Sequence, residues 1–166
     1  MSIWTNSAAF LLLSTAVAQA AAVEVAAPDG FCVAEGTIEE RVLIRPCEEA
    51  DAPDILLTAL AGAEGSAAAL SDTIEAVQWI SSPQGRAAMS ANNRAEDISI
   101  LELSSRGSAL VMLVRDAGLA EPGWRVLVPL QDRLVTLTVT GEIGLNPAAG
   151  RTLTENFLAA MVQKNK

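Results

Sequence analysis

Between Asp97 and Thr140, apolar and polar residues alternate in four short runs separated by turn residues. Ile98 to Leu103 and Ala109 to Val114 predict two strands, with Ser104-Ser105-Arg106-Gly107 as the turn between them. Trp124 to Leu130 follows the punctuating pair Pro122-Gly123, and Arg133 to Thr140 follows Gln131-Asp132. Connections this short join antiparallel neighbours, so the four runs predict a meander. The last run is the cleanest: Val135, Leu137 and Val139 share one face, and Thr136, Thr138 and Thr140 the other. Trp124, Val126, Val128 and Leu130 also share a face. The second run is apolar on both sides, with Val111 and Leu113 opposite Leu110, Met112 and Val114. A strand of that kind is central and covered twice.

Upstream, Arg41 to Cys47 and Asp54 to Ala61 predict an N-terminal hairpin, preceded by the turn Ala27-Pro28-Asp29-Gly30 and the stretch Phe31-Cys32-Val33. Gly62 to Ala69 reads as small and flexible. Asp72 with Glu75 makes a capping box for a helix whose apolar side is Ile74, Val77 and Ile80 or Trp79. Ser82-Pro83 opens a second short helix through about Met89. Asn146-Pro147 opens a long terminal helix to about Gln163, with Leu153, Phe157 and Met161 along one stripe. The fold class predicted is α+β: an antiparallel sheet of about six strands, the hairpin plus the meander, with helices packed on it. The terminal helix should cover the face of Val135, Leu137 and Val139. The other face needs the helices of residues 72 to 90, the hairpin, or something outside the chain. If that cover is incomplete, Leu101, Leu103, Leu110 and Met112 are the candidates for an exposed apolar binding surface.

Residues 1 to about 22 have the pattern of a secretory signal peptide. Its apolar core, Ala8 to Ala18, is too short to span a bilayer. Ala18-Gln19-Ala20 and Ala20-Ala21-Ala22 are its cleavage sites, and residues 23–166 are then a single domain. No Lys or Arg lies in the first residues, which departs from the usual leader. Export changes the reading of the two cysteines: Cys32 and Cys47 predict one structural disulfide, without a C-x-x-C redox motif.

Charge narrows the partners. Eleven basic residues face 20 acidic ones, a formal charge of -9, which disfavours nucleic acid and anionic membrane surfaces. The absence of histidine excludes Ser-His-Asp and Cys-His catalysis and histidine-ligated metals. Neither a phosphate loop nor a G-x-S-x-G elbow is present, and the only lysines are Lys164 and Lys166. The acidic run Glu48, Glu49, Asp51 and Asp54 lacks calcium-loop spacing and reads as a solvated loop. No cofactor or metal is therefore expected. The one enzymatic alternative is a carboxylate-dependent hydrolase using Glu102 and Glu142.

The order strand, strand, two helices, meander, terminal helix resembles the Mog1/PsbP-like α+β fold, which includes the exported DcrB-like bacterial proteins. Pro28-Asp29-Gly30-Phe31-Cys32 with Arg45-Pro46-Cys47 is also similar to small exported proteins of Gram-negative bacteria. The resemblance implies a periplasmic, non-enzymatic accessory or binding protein whose partner is a protein or an envelope component.

Overall fold

The computed structural model of the protein describes residues 22–38, 41–47, 54–141 and 147–166. Residues 1–21, most of the expected leader, and Glu48, Glu49, Asp51, Glu142 and Asn146 lie outside the described residues. Seven strands are described: β1 (Phe31–Ile38), β2 (Arg41–Pro46), β3 (Ile55–Glu64), β4 (Ile98–Arg106), β5 (Ala109–Asp116), β6 (Gly123–Leu130) and β7 (Arg133–Gly141). They form one antiparallel sheet in the order β1-β2-β3-β7-β6-β5-β4. The predicted hairpin and meander are both present, and β3 pairs with β7 to join them. Thr58 and Thr138 meet across that seam, their hydroxyls 2.6 Å apart. Gln131 and Asp132 turn the β6–β7 hairpin with φ of 48° and 61°, the left-handed pair a two-residue turn demands.

The strand count exceeds the expected six because β1 was read only as a short apolar stretch. Its five pairs with β2 are broken by a register shift between Val33 and Thr37. Gly36 sits in that shift with φ of 87°, so the strand loses the alternation by which strands are recognised. Cys32 and Cys47 are bonded, with Cα atoms 5.1 Å apart, and fasten this edge strand to the end of β2.

One sheet face carries Leu57, Val111, Trp124, Val126, Leu137 and Val139, all buried. Helix α3 (Pro147–Lys164) lies on it and buries Phe157, Leu158 and Met161 there, as its stripe predicts. Thr154 on the same side turns its hydroxyl back to the Gly150 carbonyl at 2.7 Å, satisfying its buried donor. Arg151 stacks over the Trp124 ring at 5.0 Å and pairs with Glu102, while Arg106 pairs with Glu155 at 3.1 Å. Residues 22 to 28 form a strap beside α3, with Val23, Val25 and Ala26 against the core. The Asn165 amide holds the strap by exchanging hydrogen bonds with the Glu24 backbone at 2.9 and 2.8 Å. Glu24 also pairs with Lys164, which raises the lysine pKa, first through the hydrogen bond and then through the charge.

The opposite face carries Ile98, Leu110, Met112 and Val114 under helices α1 (Thr73–Ser81) and α2 (Pro83–Met89). Asp72 caps α1 by accepting from the Ile74 and Glu75 amides at 2.8 and 3.0 Å, and Ser82 caps α2 by accepting from Gly85. The buried side of α1 is Ala76 and Ile80, with Val77 beside them; Ile74, expected there, is 72% exposed. Ala76 and Ile80 stand four apart on one side of the helix, and Ile74, two residues before Ala76, falls on the other. Arg125 rises from β6 to bond the Met89 carbonyl and the Asp116 carboxylate at 2.8 and 2.9 Å, tying the end of α2 to the sheet.

Candidate functional site

Over β6 and β7 the second face is not sealed by helix. Leu127 and Leu134 point to this side, opposite the Phe157 core, and form the floor of a groove of about 340 Å³. One wall is a 3-10 helix, Ser66–Leu70, contributing Ala68, Ala69 and Leu70. The other wall is α1, contributing Ala76, Trp79 and Ile80. Ser71, Asp72 and Glu75, at the start of α1, also line it.

Both walls are fixed by local chemistry. The Ser66 hydroxyl bonds the Ala63 carbonyl and accepts from the Leu134 amide at 2.8 Å, tying the 3-10 helix to β7. Asp132 accepts from the Gly65 amide at 3.1 Å, and Arg133 donates to the Gly62 carbonyl at 2.8 Å. A side chain at Gly62 would place its Cβ 2.7 Å from the Ser66 Oγ, so glycine is what allows β3 to meet this helix. On the α1 side, a Cβ at Gly85 would stand 2.0 Å from the Trp79 carbonyl oxygen. That contact seats α2 on the end of α1 and holds the Trp79 backbone in place. The Trp79 ring remains 52% exposed at the groove mouth.

A second, larger cleft of about 580 Å³ runs along β4, the sheet edge, lined by Ser81, Arg86, Glu96, Leu101, Glu102 and Leu103 among others. Its lining mixes charges of both signs with strand backbone. Glu96 there is held below the ordinary carboxylate range, first by its own backbone amide and then by a hydrogen bond from Arg94. The groove beside Trp79 is smaller but has a continuous apolar floor, which is what a ligand pocket requires.

The residues read from sequence as a possible apolar surface do not form one exposed patch. Leu110 and Met112 are 2% and 0% exposed beneath the helices, and Leu103 is half-buried against the same core. Leu101 is 49% exposed, because β4 shifts register between Ile100 and Glu102 and leaves it unpaired. The shift returns Leu103 to the face of Ile98 and Ile100, where strict alternation had set them apart. Glu102 faces α3 and is engaged by Arg151. Among the described residues no group of three or more acidic or cysteine side chains could hold a metal ion. None of their helices is long and apolar enough to cross a membrane.

No protein-family model matches the chain, and no curated protein matches it. A solved STAR-related lipid transfer protein (fragment 25–204) from Xanthomonas axonopodis is similar at 11% identity and a TM-score of 0.41, over 82% of this chain and 96% of that one.

Sequence reasoning missed the groove because one of its walls, the 3-10 helix, comes almost wholly from the small, flexible-looking stretch Gly62 to Ala69. One signal was present. Leu127 and Leu134 are apolar residues on the otherwise polar side of β6 and β7, and such a pair needs cover or a ligand.

Proposed function

We propose that the chain is an exported, non-enzymatic binding protein and that the groove beside Trp79 takes a small apolar ligand. Export is supported by the apolar core before the Ala-x-Ala sites and by the Cys32–Cys47 bond, which persists in oxidising compartments. The native protein is expected to start at Ala21 or Val23. N-terminal sequencing checks this, and an intact Met1-Ser2 end overturns the export reading.

The binding reading is carried by one observation: a mostly apolar groove with a half-exposed tryptophan at its mouth. A half-exposed indole beside an apolar floor is the residue type that anchors binding surfaces. Among the described residues Asp72 and Glu75 are the acids lining the groove, and Asp72 is engaged in capping α1, which leaves no facing pair of these for acid–base work. The test is titration with N-phenyl-1-naphthylamine, a neutral apolar fluorophore. Saturable binding is expected, weakened about tenfold or more by Trp79→Ala, in line with the loss of a tryptophan anchor. Binding untouched by both Trp79→Ala and Ala69→Trp, which fills the mouth, overturns this site.

A further inference from the structure

We infer that the ligand class of this groove is an amphiphilic cation: an apolar body with an ammonium or similar positive head. This rests on the groove being the binding site and adds its charge preference. Among the described residues the lining contains two carboxylates, Asp72 and Glu75, and no lysine or arginine. Asp72 caps α1 and Glu75 lies in its first turn, so an apolar body lying on Leu127 and Leu134 with its head toward the start of that helix would meet both. Glu75 and Trp79 are four apart on α1 and therefore neighbours on its surface. A cation there meets a carboxylate on one side and an aromatic face on the other, a pairing that attracts ammonium groups.

The start of α1 would ordinarily favour an anion through its free amides. Here the Ile74 and Glu75 amides already donate to Asp72, so an incoming anion finds two negative side chains and no open donor from that pair. The formal charge of -9 acts in the same direction, raising the local concentration of cations and lowering that of anions. An anionic amphiphile such as a fatty acid is therefore disfavoured by the site and by the whole molecule.

The experiment uses three probes with the same alkyl chain and different heads: octyltrimethylammonium, 1-octanol and octanoate. Each competes against N-phenyl-1-naphthylamine on the full mature chain. The expected order of affinity is ammonium, alcohol, carboxylate, with ammonium about fivefold or more tighter than carboxylate at low salt. The gap should shrink in about 0.5 M NaCl, as exposed charges are screened. Glu75→Gln should bring the ammonium affinity close to that of the alcohol measured on the same variant. Asp72 is left intact because it caps the helix.

Equal affinities for the three heads, or octanoate the tightest, overturn the cation preference and leave the groove standing. So does a Glu75→Gln chain that keeps the full ammonium advantage. Failure of the naphthylamine itself to bind removes the groove reading, and this inference falls with it.

Discussion

Replacing Phe157 by alanine is expected to lower unfolding stability by about 3–5 kcal/mol, the usual result of deleting a buried ring from a packed interior. Phe157 is 0% exposed at the centre of the α3 contact, in one cluster with Val135, Leu137 and Val139. Leu158 and Met161 are buried beside it, while Leu153, one turn earlier, is only partly buried, so Phe157 is the largest buried side chain of the helix. Its outer pairs, Arg106 with Glu155 and Arg151 with Glu102, are substantially solvent-exposed and contribute little. Urea unfolding checks the value, with the midpoint falling and the slope unchanged. A loss below about 1 kcal/mol would mean that the helix does not depend on this ring.

The second large effect belongs to the disulfide. Replacing Cys32 and Cys47 together by alanine should cost about 3 kcal/mol, from the entropy regained by a loop with a sequence separation of 15. β1 is an edge strand with a broken ladder, so few other contacts offset the loss. Phe31 packs on the main core, but Val33 is 48% exposed. The doubly substituted chain and the native chain under reducing conditions should unfold at similar urea concentrations. If native stability is unchanged by reductant, the bond is not what secures this edge.

The elements legible in the sequence were those whose backbone keeps its period, β5 with two apolar faces among them. β7 alternates Val and Thr without interruption, so its period gave its face and, with the stripe on α3, the helix that covers it. Capping residues located α1 and α2, because Asp72 and Ser82 carry oxygens that orphan amides need. Reading failed where the backbone departs from its period. Gly36 in β1 and the shift at Leu101 in β4 each break the alternation that pattern reading relies on. The groove was hidden for a different reason. Its residues are separate in the chain, and the helix of Ser66–Leu70 forms through hydrogen bonds to Asp132 and Leu134, partners far away in sequence.

The β3–β7 seam has a consequence for the unity of the molecule. Every other strand pair joins neighbours in the chain, whereas Thr58 meets Thr138 across 80 positions. Loop-closure entropy grows with such spans, so this seam is the costliest pairing in the sheet. The groove depends on it: the floor comes from β6 and β7, while the walls belong to the connection between β3 and β4, and the 3-10 wall is anchored to β7 by Ser66. A fragment holding only the four-strand meander has the floor without walls, and one holding only the first three strands with α1 and α2 has walls without a floor. The proposed binding would thus be a property of the closed chain, and a ligand in the groove would favour the closed seam by mass action.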